Sequence, residues 1–306
     1  MQKAYINTLY NLLKKDKNVI SCLSDSGTDY DEMLMREFPD QVINFGISEN
    51  NKVAATAGMA NCGKIPFVYT TSAFLAYRSY EFIRNDVCLQ NQNVKLVGMG
   101  CGLSWSTLGP THHTTEDISA LKAIPNLNIL SPCSPKELEK CLYFAYDTKG
   151  PFYIRMGMSN EKEIYDDSCP FVFGKNNLIK DGQMATVFVT GSIISEVLKA
   201  DAMLLSDNIS IRIVNISSIK PFDNQSVIDE CQKNHVIFSV EEHNIIGGIG
   251  SSIADVIAEN NLNVKLVKIG LNDCFANGYG TYQEILQMNN LDANSIYNKI
   301  KTTLLK

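Results

Sequence analysis

Short apolar runs recur along the chain, at residues 19–23, 42–47, 67–71, 94–99, 127–130 and 152–156. Runs of this length, bounded by polar turns, predict strands buried on both faces. The segments between them (3–13, 49–61, 74–86 and 135–146) carry apolar residues at helical spacing. This alternation predicts a mainly parallel, helix-covered sheet. From about residue 157 to 182 the regularity lapses into a polar stretch containing Pro170 and Gly174, read as a crossing between domains. A second series follows, with strand-like runs at 185–190, 209–216, 236–240 and 264–269 and helical patterns at 194–205, 226–231 and 251–259. The expected fold class is α/β. Two consecutive domains are expected, each a mainly parallel, helix-covered sheet, over residues 1–158 and 183–306, with a linker at 159–182. No period of 20 to 50 residues repeats, which excludes solenoids and arrays.

Composition narrows the class of protein. The 306 residues suit two domains, and 45% hydrophobic with 20% charged residues is ordinary for a folded globular chain. A net charge of -6, with no run of Lys or Arg, argues against a nucleic-acid or acidic-membrane partner. The nine cysteines are scattered without a C-x-x-C pair, so neither a zinc site nor a disulfide framework is expected. They read as thiols of a reducing compartment. No apolar run approaches the length of a membrane span, and the N-terminus lacks the basic and apolar regions of a signal peptide. A cytoplasmic location is expected, and no metal ligands are assigned within the chain.

Three segments carry candidate chemistry. In Gly46-Ile47-Ser48-Glu49-Asn50-Asn51 a strand closes and a helix opens, with Ser48 placed as N-cap. An acid in a first helical turn is also what the helix dipole favours, so Glu49 alone decides nothing. The segment Phe74-Leu75-Ala76-Tyr77-Arg78-Ser79-Tyr80 puts aromatic rings at 74, 77 and 80, one face of an α-helical turn. Such a stripe is usually core. It follows the strand at 67–71, however, at the carboxyl end where open α/β sheets bind ligands. The third segment, Gly109-Pro110-Thr111-His112-His113, follows the strand at 94–99 as a shaped turn.

Together these segments resemble the pyrimidine-binding domain of transketolases, with its G-I-x-E, F-x-x-[FY]-x-x-[YW] and G-P-T-H motifs. Downstream, Lys220-Pro221-Phe222-Asp223, Glu241-Glu242-His243 and Gly247-Gly248-Ile249-Gly250-Ser251 resemble the signatures of the family's C-terminal domain. Ile253 stands where a dinucleotide fingerprint would have its third glycine, so nicotinamide binding is rejected. The resemblance implies thiamin diphosphate as cofactor. Glu49, kept protonated in an apolar pocket, would hydrogen-bond the pyrimidine ring and help activate the thiazolium carbon. Phe74, Tyr77 and Tyr80 match the positions that wall that ring. His112 would face the reacting carbons and stabilise oxyanions, with His113 beside it.

The family holds the diphosphate and Mg²⁺ through a G-D-G motif in a separate, N-terminal domain, and this chain has no G-D-G. The resemblance therefore implies the C-terminal subunit of a split enzyme, inactive alone, joined with an N-terminal subunit that carries the diphosphate and Mg²⁺ site in an α2β2 heterotetramer. The expected reaction is transfer of a two-carbon ketol unit between sugar substrates. Of the residues with which ordinary transketolases grip a sugar phosphate, only Arg155 remains; Gln2, Asp29 and Gly100 fall at the other positions, and Leu108 replaces the Asp that reads a hydroxyl. Losing even two charge-assisted hydrogen bonds of roughly 1.5–3 kcal/mol each would cut phosphate affinity by a factor on the order of 10². At least one substrate is thus expected not to be a simple terminal sugar phosphate. Alternative readings are half of a 1-deoxyxylulose-5-phosphate synthase-like enzyme, a 2-oxoacid dehydrogenase β-type subunit, or a non-catalytic interface-only homologue.

Overall fold

The computed structural model describes residues 1–24, 29–158, 161–165 and 168–306, with the Asp29 side chain outside the described set. Its strands are β1 (Val19–Leu23), β2 (Val42–Asn44), β3 (Ile65–Thr71), β4 (Lys95–Met99), β5 (Asn128–Leu130), β6 (Phe152–Met156), β7 (Asn177–Lys180), β8 (Ala185–Val189), β9 (Ile211–Asn215), β10 (Ser218–Lys220), β11 (Val236–Asn244) and β12 (Lys265–Leu271). Two sheets result. The first has the order β10-β5-β6-β4-β3-β1-β2 and the second β12-β11-β8-β9-β7. All neighbours run parallel except β10 on β5 and β7 on β9. Helices separate the parallel strands, as the two-domain α/β expectation requires.

The central strands β1, β4, β6 and β8 are buried at every residue, which explains why they read as continuous apolar runs. The run at 42–47 pairs only as far as Asn44. Beyond it Gly46 takes φ +64°, and its N–H is held by the Asn44 side chain at 2.8 Å.

Two strands depart from the expected division of the chain. β7 lies within the stretch read as linker, yet it pairs with β9 from Asn177 and edges the second sheet. β10 follows the second domain's β9 but pairs with β5, so the later part of the chain completes the first sheet. The apolar core is also shared: Val68, Leu96 and Ile118 pack in one buried cluster with Phe188, Val214, Ile237 and Ile253. An interface this apolar fixes the two domains to each other.

In the first sheet the direction of strand addition reverses at β1, which pairs with β2 on one side and β3 on the other. Ligands of open α/β sheets bind at such a switch point, outside the carboxyl ends of the strands. Ser24 and Thr71, at the ends of β1 and β3, open there.

Candidate active site

A cavity of about 260 Å³ sits at this switch point, lined by Ser24, Ile47, Glu49, Tyr69 to Thr71, Phe74, Met99 and Trp105. Glu49 begins the helix Glu49–Asn61, whose buried residues are Glu49, Lys52, Val53, Thr56 and Ala57. That i, i+3, i+4, i+7, i+8 stripe is the pattern of a core-facing helix, with two charged residues where apolar ones belong. Ser48 occupies the N-cap position, but its hydroxyl donates to the Phe45 carbonyl at 2.6 Å instead of capping the helix.

Glu49 is only 5% exposed. Its surroundings differ from the apolar pocket expected. The Arg78 guanidinium lies 3.3 Å from one carboxylate oxygen and 3.9 Å above the centroid of the Phe74 ring, so it covers the aromatic face and pairs with the acid together. Lys52 lies one turn along the helix, fully buried.

The aromatic segment is not a regular α-helix. Phe74–Arg78 and Ile83–Cys88 are π-helical, with a single α turn, Tyr80–Phe82, between them. Wider turns advance less per residue, so rings three apart fan out instead of sharing one face. Phe74 reaches the cavity. Tyr77 donates its hydroxyl to Glu116 at 2.7 Å and accepts the Glu116 backbone N–H at 3.1 Å, while the Tyr80 hydroxyl donates to the Ala120 carbonyl at 3.1 Å. Both tyrosines thus hold the segment before and within the helix Asp117–Lys122.

Gly109, at φ +75°, turns the chain so that the backbone N–H groups of His112 and His113 both donate to its carbonyl. The His112 ring meets Phe74 edge-on at 5.0 Å and Trp105 at 6.4 Å between centroids, and both of those rings line the cavity. Burial and the nearby Arg78 charge lower its proton affinity, which favours the neutral imidazole. His113 is buried, and burial lowers its proton affinity too. Leu108 is 44% exposed on the same loop.

Arg155 is placed elsewhere. It is 4% exposed, with Nε donating to Asp117 at 2.7 Å and its other nitrogens near the Ser131 hydroxyl and the Thr114 carbonyl. Tyr153 donates to the same Asp117 oxygen at 2.8 Å. Burial alone would ease deprotonation of Arg155, but the Asp117 carboxylate more than offsets it and raises the guanidinium's proton affinity. Arg155, the expected phosphate ligand, is not among the residues that line the cavity beside Glu49. The Asp29 expectation concerns a side chain outside the described set.

Sequence reasoning missed Lys52, Arg78 and Trp105 as members of the site. A lysine on the buried stripe of a helix was the legible signal for the first. For Trp105 the signal is tertiary. Gly100 has φ +73°, and a Cβ added there would meet the Trp105 indole nitrogen at 2.3 Å, so the indole fills the space of the missing side chain.

Residues 1–162 match the family described as transketolase, pyrimidine binding domain, and residues 174–296 match transketolase, C-terminal domain. The chain belongs to the transketolase family. A "Putative transketolase C-terminal section" from Methanocaldococcus jannaschii is 36% identical over 100% of this chain and 96% of its own length. One subunit of an apulose-4-phosphate transketolase from Actinobacillus succinogenes is 32% identical over 95% of this chain and 94% of its own. A 1-deoxy-D-xylulose-5-phosphate synthase from Parabacteroides distasonis is 32% identical over 98% of this chain, which spans 48% of that enzyme. Among solved structures, a split-gene transketolase described as an inactive beta4 tetramer superposes with a TM-score of 0.88 at 28% identity, covering 99% of this chain and 97% of that one.

The transketolase C-terminal signatures prove to be joinery. Both Glu241 carboxylate oxygens accept helix N-terminal N–H groups, from Ile249 at 2.8 Å and Gly250 at 3.0 Å. A Cβ at Gly248 would lie 2.0 Å from that carboxylate, which is why the turn is glycine. The chain's own acid therefore occupies the place where a dinucleotide fingerprint would hold phosphate. Glu242 accepts the Leu103 N–H at 3.3 Å, and His243 Nε2 accepts the Ser119 N–H at 3.4 Å, each crossing between domains. The Lys220 ammonium donates to the carbonyls of Lys122 and Ile124 at the end of the helix Asp117–Lys122. Glu137 binds the Asn215 amide at 2.9 Å from the other direction. Among the described residues no helix is long and apolar enough to cross a membrane, and no group of three His, Cys, Asp or Glu is disposed to hold a metal ion.

Proposed function

We propose that this chain is the C-terminal subunit of a split, thiamin-diphosphate-dependent transketolase-like enzyme that transfers a two-carbon ketol unit between sugars. The observation that carries this reading is the buried Glu49 carboxylate at a topological switch point, beside the face of Phe74. A carboxyl next to an aromatic wall fits a flat, hydrogen-bonding heterocycle such as the cofactor's pyrimidine. At about 260 Å³ the cavity is smaller than the roughly 300–1,000 Å³ of a complete ligand pocket, which supports a site finished by a second chain. An N-terminal subunit holding the diphosphate and Mg²⁺ is that second chain in this reading, and α2β2 is the assembly. The nine cysteines are unpaired and seven are buried, which supports a reducing, cytoplasmic setting.

When bound, thiamin diphosphate would supply a carbon nucleophile for a ketose carbonyl. Glu49 would hold its pyrimidine ring by a hydrogen bond. Phe74 would offer its face to the ring once Arg78 moves aside, while Tyr77 and Tyr80 keep the neighbouring segment in place. His112, held neutral, could donate a hydrogen bond to an oxyanion formed on the substrate.

The surroundings of Trp105, Leu108 and Arg155 support the substrate reading. An indole stands in the space of a Gly100 side chain, an apolar residue replaces the hydroxyl reader, and the remaining arginine is satisfied by Asp117. In this reading at least one substrate is not a simple terminal sugar phosphate.

The test is co-expression with the separately encoded N-terminal half, followed by assay with thiamin diphosphate, Mg²⁺ and a panel of donors and acceptors. Ketol transfer from hydroxypyruvate is expected, together with poor use of ribose 5-phosphate. Decarboxylation of pyruvate or a branched oxoacid would favour a synthase or dehydrogenase instead. Glu49→Gln should lower kcat by at least about 10²-fold; full activity would leave the interface-only reading standing.

A further inference from the structure

The second domain touches the loop that carries Trp105 and His112. That loop is closed at its base, where Gly102 and Thr114 exchange backbone hydrogen bonds at 3.1 and 2.9 Å. Within it the Leu108 N–H donates to the Trp105 carbonyl and the His112 N–H to the Gly109 carbonyl. Irregular loops are the mobile parts of a fold unless contacts hold them. Three contacts come from the second domain. Glu242 accepts the Leu103 N–H near the base, and the Gly280 N–H donates to the Ser106 carbonyl at 3.3 Å. At the tip the Tyr279 ring lies over Gly109, where an added Cβ would come within 2.2 Å of a ring carbon.

Tyr279 sits between fixed points. The Asn277 backbone exchanges two hydrogen bonds with the Asn289 side chain, at 2.8 and 3.1 Å, and Thr281 forms a capping box with Glu284 at the start of the helix Tyr282–Met288. The backbone on either side of the tyrosine is thus anchored without its ring. The ring is 66% exposed, so it buries little apolar surface and adds little to folding. What it covers is the turn whose carbonyl accepts the His112 N–H. His112 Nδ1 meets the Thr111 hydroxyl at 3.0 Å, and its ring packs on Trp105 and Phe74. All of these partners but Phe74 belong to the same loop, so the imidazole moves with the loop relative to Phe74 and the cavity. We propose that Tyr279 is a positioning residue: it clamps the Gly109 turn and through it fixes the His112 imidazole against Phe74. The C-terminal domain then shapes the site of the first domain as well as completing its sheet. This inference rests on the reading of His112 as the group that meets the substrate oxyanion.

The experiment compares wild type with Tyr279→Phe, Tyr279→Ala and Phe275→Ala. Phe275 lies on the same segment and is 74% exposed, so its variant controls for the loss of an exposed ring. Acrylamide quenching of Trp105, the single tryptophan, is read in the isolated full chain. The kcat, and KM for hydroxypyruvate, are read in the complex reconstituted with the N-terminal subunit and thiamin diphosphate. A displacement of about 1 Å costs up to ~10²-fold in rate, so Tyr279→Ala should raise the quenching constant about twofold and lower kcat about 10-fold, with KM within about twofold of wild type. Tyr279→Phe and Phe275→Ala should match wild type in both readouts, and every variant should melt within about 2 °C of it. Wild-type quenching and kcat in Tyr279→Ala overturn the proposal, as does a loss of kcat that Phe275→Ala shares together with a fall in melting temperature. Raised quenching with wild-type kcat, in a complex that His112→Gln inactivates, overturns the positioning role alone. A complex that stays fully active with His112→Gln overturns the reading of His112 as well.

Discussion

Gly100 and Trp105 show how one residue's absence is built into another's placement. The Trp105 indole donates to the Met99 carbonyl at 3.3 Å and covers Gly100, whose positive φ disfavours any side chain. Gly100→Ala would force the indole aside and strain the backbone, at a cost of about 1–3 kcal/mol. Trp105 is the chain's single tryptophan, so its emission reports on this site alone. A red shift together with a lower denaturation midpoint is expected for the alanine variant. Unchanged emission would mean that the indole does not depend on that glycine.

At the scale of elements, the helix Ile249–Glu259 depends on a carboxylate outside it. Glu241 satisfies two of its orphan N–H groups and sets a negative charge against the positive end of the dipole. Glu241→Ala leaves those donors buried and unpaired, a loss of roughly 1–3 kcal/mol in chemical denaturation. The π-helical segment makes the contrary point. The spacing of Phe74, Tyr77 and Tyr80 was legible and their aromatic character mattered, but an α-helical period misassigned their directions. Hydrogen bonds to Glu116 and Ala120, distant in sequence, stabilise the wider turns.

At the scale of the whole molecule, Glu242 is buried at the junction of the two domains, where it accepts the Leu103 N–H. Burial raises its carboxyl to about 7, against an ordinary value of 4.5. An acid whose folded pKa is raised contributes stability that is fully present below the unfolded value and lost as pH rises through the folded one. Stability from this group is therefore present at pH 4.5 and gone above about pH 7, a swing on the order of 3 kcal/mol. Glu242→Gln removes the ionisation. The variant should gain in melting temperature relative to wild type between pH 5 and 8, and parallel curves would refute the assignment.

By itself the sequence determined the α/β class, most strands to within a residue or two, and the family, because buried parallel strands and short loop motifs are written locally in runs and spacings. It also pointed to Glu49 and Phe74, which the fold brings to one cavity at the ends of neighbouring strands. Only the tertiary structure decided that Arg78 lies on Phe74, that Arg155 is paired with Asp117, that Trp105 occupies the space over Gly100 and that β10 joins the first domain's sheet. Each of these is a contact between segments distant in the chain or a choice among side-chain directions. Packing and charge neutralisation across the folded molecule set them, and no local pattern encodes that.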